Sequence, residues 1–390
     1  MSMKKFTKKM LAIVAAAAMT MGLAMPAFAS EAGTEERPKV TKAYISKTYN
    51  TEVGKAFDFS FTAEQDTTSE GVIAVEHSIT IPTISFAETE KGSTTKCSEE
   101  INFNVGTFPQ AGKYVYTVKE GTSTPSITNS EHEKLLMSQA EYKMDVYVVE
   151  DNGTFKIDNI IVNKTKNDKG DAAEGKVDIG SDPTTNGFRF ENTYVKEAGT
   201  GTDPTTPEPD DYKKFGSLNV SKEIVMANRE AADTTKEFDF TATFTFPKGT
   251  DASTLGGVKA DGTIIALTGT KNDTYEFKMN HGKSVKFTGL PVGTKISVTE
   301  AATPNYKGSA AVTINGVNAG TATADQYNAV LTVSDKTLGQ KKNAVDVTNE
   351  YNNVPTTGII MNTLPYVLMV ALCGAALVAF VASKRRKVQK

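Results

Sequence analysis

Apolar and polar residues alternate along several stretches of this chain with the two-residue period of a half-buried β-strand. The alternation is strict over residues 57–62 and 238–246, and two further predicted strands, 142–149 and 155–162, flank an Asp-Asn-Gly turn typical of a β-hairpin. The best helical pattern is short, at about residues 130–140. Many short strands with few helices predict an all-β protein built from two tandem immunoglobulin-like β-sandwich domains.

A change of composition separates the two predicted domains. Residues 197–211 are rich in Gly, Thr, Asp and Pro and lack an apolar period, which is typical of a fairly extended, semi-stiff linker. We place the linker at residues 197–214, the N-terminal domain at 30–196 and the C-terminal domain at 215–353. Two domains are expected because the chain exceeds the usual size of one hydrophobic core.

Both ends of the chain have the composition of export segments. Four early lysines, an apolar stretch at 11–25 and an A-x-A tripeptide predict a signal peptide over residues 1–29, cut between Ala29 and Ser30. Residues 359–383 carry no formal charge and are long enough to cross a bilayer as a helix. The basic tail, 384–390, would hold that end in the cytoplasm. Hydropathy alone indicates an ordinary single-pass anchor.

The mature chain is expected to be acidic. Removing both ends takes away nine basic residues, which leaves 34 Lys and Arg against 46 Asp and Glu, a net charge of −12. This charge argues against nucleic acid and anionic membranes as partners. Of the two cysteines, Cys373 lies in the apolar span, so Cys97 has no partner for a disulfide. An exported chain of this kind needs another source of stability.

Strand parity places six polar residues on inward-facing rows that are otherwise mostly apolar. They are Lys42, Glu120 and Asn192 in the N-terminal domain and Lys222, Glu300 and Asn349, in the same order, in the C-terminal domain. Lys42 and Glu120 are 78 positions apart, and so are Lys222 and Glu300, which indicates an internal duplication. Each residue alone has an ordinary alternative, because a core polar group can simply be hydrogen-bonded and a lysine can extend to water.

Two such sets together indicate a reaction. Burial disfavours the charged forms, so it lowers the pKa of a lysine and raises the pKa of a glutamate. A neutral amine can attack the Asn side-chain carbonyl while a protonated Glu shuttles protons, and ammonia leaves. The predicted products are isopeptide bonds Lys42–Asn192 and Lys222–Asn349, with Glu120 and Glu300 as the proton shuttles. Each bond would form once per molecule, so the chain is not predicted to be an enzyme.

The motifs around these residues resemble those of the streptococcal-type major pilins with isopeptide-linkage domains. They are Val40-Thr41-Lys42, the Tyr-x-Val-x-Glu pattern ending at Glu120 and the Phe-x-Asn-x-Tyr pattern around Asn192. The C-terminal domain departs slightly, with Ile-Ser-Val-Thr-Glu ending at Glu300 and Val-Thr-Asn-Glu-Tyr around Asn349. The resemblance implies Cna-B-type sandwiches in a major, or backbone, pilin.

A second resemblance changes how the apolar span is interpreted. Immediately before it, Val354, Pro355, Thr356, Thr357 and Gly358 resemble the LPxTG sorting signal of Gram-positive surface proteins, with Val in place of Leu. The resemblance implies that a sortase cuts between Thr and Gly and joins the Thr carboxyl to an amine. The implied partners are a class C sortase for polymerisation, a housekeeping sortase for attachment to peptidoglycan, other copies of this chain and minor pilins. The implied location is a cell-wall-anchored surface pilus.

The lysine that accepts the bond between subunits is expected shortly before the closing strand of the N-terminal domain, by the same resemblance. Lys176 is preferred among Lys164, Lys166, Lys169 and Lys176 because it is nearest to that strand, and an ordinary solvated lysine is the alternative. A monomeric wall-anchored adhesin is the alternative function, and an anchored enzyme is a more distant one. No cofactor or metal is predicted, since the three histidines are scattered and no nucleotide-binding or hydrolase motif occurs.

Overall fold

The computed structural model describes residues 39–67, 79–202, 210–227, 233–267 and 272–352. The predicted signal peptide with its Ala29–Ser30 cleavage site, the sorting motif at 354–358, the apolar span at 359–383 and the basic tail lie outside these residues. Among the residues that are described, no helix combines the length and the apolar character needed to cross a bilayer.

The N-terminal domain is a sandwich of two sheets, as predicted. One sheet has the strand order β4-β1-β10-β6 and the other β3-β2-β5-β7-β8-β9. A 3-10 helix at Val105–Thr107 precedes β5. The strands are β1 (Ser46–Thr51), β2 (Phe57–Gln65), β3 (Ile84–Phe86), β4 (Gly92–Cys97), β5 (Gly112–Thr124), β6 (Glu133–Leu136), β7 (Glu141–Asp151), β8 (Thr154–Lys166), β9 (Ala172–Lys176) and β10 (Arg189–Lys196).

The C-terminal domain is a second sandwich. Its sheets have the orders β14-β13-β16-β11-β21-β18-β19 and β15-β12-β17-β20. A short helix, α1 (Asp210–Phe215), precedes its first strand. The strands are β11 (Leu218–Met226), β12 (Phe238–Thr245), β13 (Lys259–Ala260), β14 (Thr263–Ile264), β15 (Asp273–Met279), β16 (Lys283–Thr288), β17 (Lys295–Glu300), β18 (Tyr306–Ile314), β19 (Val317–Thr323), β20 (Leu331–Thr337) and β21 (Ala344–Tyr351).

The alternating sequence patterns form the strands that they predict. In β2, Phe57, Phe59 and Phe61 are buried while Asp58 is exposed, and β12 repeats this pattern. The β7–β8 hairpin turns at Asn152 and Gly153, which have positive φ values of 52° and 80°. Asn and Gly tolerate this left-handed backbone at low cost, so the turn follows directly from the sequence.

In both domains the first strand runs parallel to the last. Lys47 of β1 is paired with Phe190 of β10, and Lys222 of β11 is paired with Val347 of β21. Phe190 and Val347 are each followed two positions later by an Asn, Asn192 and Asn349. Residues two positions apart in a strand point to the same face, so each Asn lies on the same face as the residue paired with the Lys. The two domains therefore share one register between their first and last strands.

The short helix predicted at about residues 130–140 is absent. Glu133–Leu136 forms β6, which pairs antiparallel with the end of β10, and Leu135 is buried in the core. The strand edge of β10 needs a partner for its backbone groups, and β6 supplies it. Tertiary pairing therefore overrides the weak helical preference of this segment.

The predicted linker at 197–214 is not extended at either of its described ends. Glu197 and Ala198 are buried, and the amide of Ala198 donates a hydrogen bond to Leu290 of the C-terminal domain. One oxygen of Glu197 accepts hydrogen bonds from Tyr212 of α1 and from Ser217, at 2.7 and 2.6 Å. The Pro-rich and Thr-rich composition of this segment does not predict these contacts, because they are made with residues distant in sequence.

The two sandwiches contact each other around Glu197. Its other oxygen lies 2.5 Å from Nδ1 of His132 in the N-terminal domain, and the backbone amide of Gly289 in the C-terminal domain donates to the first oxygen. Val53 packs against both hydrophobic cores. One buried carboxyl group therefore collects hydrogen bonds from both domains and from the helix between them.

Candidate isopeptide sites

The N-terminal site is a buried cluster of Lys47, Glu120 and Asn192. Lys47 Nζ lies 2.7 Å from Glu120 Oε1, and the two side chains are only 0% and 1% exposed. Asn192 Nδ2 donates to the same oxygen at 2.8 Å. β1, β5 and β10 each contribute one of the three residues, so the cluster bridges the two sheets of the sandwich.

The lysine of this cluster is Lys47 and not Lys42, so the prediction of an inward-facing Lys42 is wrong. The Lys42 side chain is 64% exposed, and its Nζ is paired with Glu100 at 2.7 Å. Ala43 and Ile45 are buried, as are Lys47 and Tyr49, whereas Val40 is 38% exposed. The inward-facing row thus has the opposite parity to the predicted one.

A signal for Lys47 was present in the sequence. Ala43, Ile45, Lys47 and Tyr49 form an alternating row in which Lys47 is flanked by apolar residues on both sides, whereas Lys42 lies near the start of the strand-like segment. Strand parity counted from Val40 selects Lys42, and the equal spacing of 78 positions supports that choice. Glu120 is 73 positions from Lys47, whereas Glu300 is 78 positions from Lys222. The equal spacing of Lys42–Glu120 and Lys222–Glu300 is therefore a coincidence.

The C-terminal site contains the three residues that the sequence predicted. Lys222 Nζ lies 3.4 and 3.5 Å from the two oxygens of Glu300, and Asn349 Nδ2 donates to Glu300 Oε1. The residues come from β11, β17 and β21, and each is at most 3% exposed. The Lys and Glu approach each other less closely here than in the N-terminal site.

An aromatic ring covers each lysine. Lys47 Nζ lies 4.6 Å from the ring centre of Phe59 in β2, and Lys222 Nζ lies 4.1 Å from that of Phe238 in β12. These phenylalanines belong to the two alternating strands that were recognised in the sequence. They exclude water from the amine while their faces still offer a weak attraction to its charged form.

Burial governs the protonation of both pairs. It lowers the pKa of Lys47 to about 8 and that of Lys222 to about 8, against the opposing effect of the neighbouring carboxylates. Burial also raises the pKa values of Glu120 and Glu300, although the lysines and asparagines oppose that shift. Burial therefore shifts each pair in the direction of a neutral amine and a neutral carboxylic acid, the forms in which a Lys can act as nucleophile and a Glu as proton donor.

The arrangement can support attack by an amine on an amide. The Asn side chain and the Lys amine both contact the Oε1 atom of the Glu in each site, so the fold already holds the reacting groups together. Holding two reactants in place in this way removes much of the entropic barrier to their reaction. The same three residue types, with the same strand origins, occur in both domains.

Of the four candidate acceptor lysines, three are exposed and Lys164 is half-buried. Lys176 is exposed at the end of β9, the edge strand of its sheet. Lys166 forms an ion pair with Glu141 at 2.8 Å, Lys164 lies 3.7 Å from Asp168, and Lys169 is exposed. Thr357 and Gly358, the residues of the predicted sortase cut, lie outside the described residues.

Other candidate groups are dispersed. Cys97 is half-buried without a disulfide, and burial raises the pKa of its thiol. His132 lies at the domain junction and His281 accepts a hydrogen bond from the Ile224 amide. Within the described ranges, no group of three or more His, Cys, Asp or Glu side chains is arranged to hold a metal ion.

Comparison with protein families separates the two domains. Residues 38–195 match the family described as the Spy0128-like isopeptide containing domain. The match spans the N-terminal domain. Its resemblance to the isopeptide-linkage domains of pilins, stated above from the motifs, is thereby confirmed. Residues 216–351 match a family described as a domain of unknown function (DUF7601).

Comparison with solved structures returns pilus proteins at low similarity. The major pilin from Streptococcus pyogenes is 20% identical, with 80% of this chain and 99% of that chain aligned, at a TM-score of 0.32. The T-13 major pilin of the same organism is also 20% identical, with 80% of this chain and 98% of that chain aligned, at a TM-score of 0.31. A pilus-presented adhesin is 11% identical, with 80% of this chain and 99% of that chain aligned, at a TM-score of 0.26. Comparison with curated proteins gives no match.

Proposed function

We propose that this chain is a structural subunit of a cell-surface pilus, stabilised by one self-formed Lys–Asn isopeptide bond in each domain. The observation that supports this proposal most directly is that the same buried Lys, Glu and Asn cluster occurs in both domains. In each domain the first strand contributes the Lys, a middle strand the Glu and the last strand the Asn. The clusters are Lys47, Glu120 and Asn192, and Lys222, Glu300 and Asn349. In each, the lysine amine attacks the Asn carbonyl carbon, the new C–N bond forms and ammonia leaves.

The position of the bonds suits a protein under tension. Each bond would tie the first strand of a domain to its last, and these strands are parallel neighbours. Force that enters a domain through one strand would then leave through the other without loading the rest of the sandwich. A chain whose described part has no disulfide gains a covalent brace in this way.

Covalent assembly is the second part of the proposal. A class C sortase would cut between Thr357 and Gly358 and join the Thr357 carboxyl to an acceptor lysine of another copy, and a housekeeping sortase would attach the finished fibre to peptidoglycan. Lys176 is the proposed acceptor, because it is exposed on an edge strand and no ion pair holds its amine among the described contacts. Minor pilins would share the fibre.

Gel electrophoresis of cell-wall extracts in sodium dodecyl sulfate tests this assembly. A ladder of high-mass species that collapses in Thr357→Ala supports a sortase-linked polymer. The Lys176→Ala variant should lose the ladder while Lys169→Ala, a matched exposed lysine nearby, keeps it. A single band at the mass of one subunit in the unmodified strain would contradict polymerisation and favour a monomeric anchored adhesin.

A further inference from the structure

The carbonyl oxygen of Asn192 has a fixed hydrogen-bond donor. The backbone N–H of Ser138 donates to Asn192 Oδ1 at 2.7 Å, while Asn192 Nδ2 donates to Glu120 at 2.8 Å. A backbone N–H can only donate, so it must face the oxygen and not the NH₂ group of the amide. The orientation of the Asn192 side chain is thereby set, with its oxygen on Ser138 and its future leaving nitrogen on Glu120.

Asp168 holds Ser138 in this position. The Ser138 hydroxyl donates to Asp168 Oδ1 at 2.6 Å, and the amide of Gln139 donates to the Asp168 carbonyl oxygen at 3.1 Å. The same Oδ1 accepts the amide of Glu191, the residue before Asn192, at 2.8 Å. Asp168 therefore ties the segment that carries the donor to the strand that carries the acceptor.

We propose that the Ser138 backbone N–H donates a hydrogen bond to the oxyanion that forms during the N-terminal cross-linking reaction. Asp168 is the residue that positions this donor. This inference rests on the proposed isopeptide chemistry. As Lys47 Nζ bonds to Asn192 Cγ, the electrons of the carbonyl move onto Oδ1, and the negative charge develops against the Ser138 N–H. When the carbonyl re-forms, the C–N bond to the amide nitrogen breaks, Glu120 delivers a proton to that nitrogen, and ammonia leaves. The proton lost by the amine returns to Glu120.

A surface pocket adjoins this site. It has a volume of about 230 Å³, and both Glu120 and Ser138 line it, together with Lys119, Gln139 and Lys166. The residue that carries the donor and the residue that would protonate the leaving nitrogen therefore border the same pocket.

The C-terminal site is built differently. Asn349 Oδ1 is buried, and no group in the described part of the chain donates a hydrogen bond to it. A preorganised donor at the developing oxyanion typically contributes a factor of about 10² to 10³ in rate. The two bonds should therefore form at different rates in one molecule, the N-terminal bond first.

The test follows both bonds in newly synthesised protein. The chain from Ser30 to Thr357 is made in a cell-free system, and the loss of ammonia at each site is timed by peptide-mapping mass spectrometry. A backbone ester at Ser138, which replaces only its N–H by oxygen, should slow the N-terminal bond about 100-fold. The C-terminal bond of the same molecules serves as the internal reference and should keep its rate.

Side-chain variants separate positioning from charge. Asp168→Ala should slow the N-terminal bond, whereas Asp168→Asn, which keeps the Oδ1 acceptor without the charge, should restore most of the rate. If the ester and Asp168→Ala chains cross-link the N-terminal domain within twofold of the unmodified rate, the inference is overturned while the isopeptide chemistry stands. If the unmodified chain never loses ammonia at this site, the proposed bond itself fails, and the inference with it.

Discussion

Lys47 Nζ and Glu120 Oε1 lie 2.7 Å apart in a part of the N-terminal core from which water is excluded. An ion pair buried to this extent offers little net stability, because desolvation offsets its attraction. The second oxygen of Glu120 is buried without a hydrogen-bond partner among the described residues. Such a pair is costly as a purely structural feature, and the proposed reaction would remove the buried ammonium group by joining Lys47 to Asn192 in a neutral amide, with Glu120 left as a neutral acid.

The first prediction concerns pH and stability in a chain that cannot form the N-terminal bond. In Asn192→Ala, Lys47 stays a free amine whose pKa is lowered from 10.5 to about 8 by burial. Between these values the unfolded chain binds a proton that the folded chain does not. The free energy of unfolding should therefore increase as pH rises from about 8 to about 10.5, by about 3 kcal/mol at most. Denaturant titrations at several pH values measure it.

The control for this prediction is the double variant Lys47→Met with Asn192→Ala. It retains every other titrating group, so the difference between the two variants isolates Lys47. A difference in unfolding free energy that stays constant from pH 8 to 10.5 would show that the Lys47 amine is not desolvated in the folded state.

The second prediction concerns the thermal stability that each bond adds. The bond between Lys47 and Asn192 would close a loop of about 145 residues, and the loop-entropy formula for cross-links gives about 5 kcal/mol for that length. Glu120→Ala, which lacks the proton shuttle, should therefore unfold at a clearly lower temperature in calorimetry. Because truncating a buried Glu has its own cost, Lys47→Ala is the second variant. Melting temperatures equal to that of the unmodified chain in both would contradict a stabilising bond.

The third prediction concerns the junction between the sandwiches. Glu197 is 1% exposed and accepts hydrogen bonds from Tyr212, Ser217 and Gly289 while it contacts His132. Glu197→Ala removes the acceptor of the buried Ser217 hydroxyl and of the buried Gly289 amide, and each unsatisfied buried donor costs about 1–3 kcal/mol. We expect the two domains to unfold in separate calorimetric transitions, and small-angle scattering to show a wider range of interdomain distances.

The matched variant at the junction is Glu197→Gln, which keeps one acceptor oxygen for the hydroxyl and amide donors. It should retain most of the coupling between the domains. If Glu197→Ala scatters and unfolds like the unmodified chain, the junction does not depend on this carboxyl group.

Much of the fold could be predicted from local pattern. The alternation in β2 and β12 and the Asn-Gly turn of the β7–β8 hairpin reflect neighbouring residues only, and the structure reproduces them. β6 could not be predicted, because it is a strand by virtue of pairing with β10, which follows it by more than 50 positions. The composition around Glu197 likewise predicts a linker, because its hydrogen-bond partners in the two domains are distant in sequence.

The candidate sites divide in the same way. Glu120, Asn192 and the whole C-terminal set follow from strand parity, since each lies in a strand whose apolar and polar residues alternate in the sequence. The first strand of the N-terminal domain begins only at Ser46, and the preceding residues lack regular pairing, so parity counted from Val40 selected Lys42. The register of β1 against β10 selects Lys47, and that register is a tertiary property. The Ser138 amide has no sequence signature at all, because any residue supplies a backbone N–H.

The two proposed bonds are tested most simply by the intact mass of the purified chain from Ser30 to Thr357, with Lys47→Ala, Lys222→Ala and Lys42→Ala measured beside it. We expect the unmodified chain and Lys42→Ala each to be lighter than their sequences by two ammonia molecules, and Lys47→Ala and Lys222→Ala each to be lighter by one. If the mass of the unmodified chain equals that of its sequence, neither bond forms and both clusters are ordinary buried ion pairs.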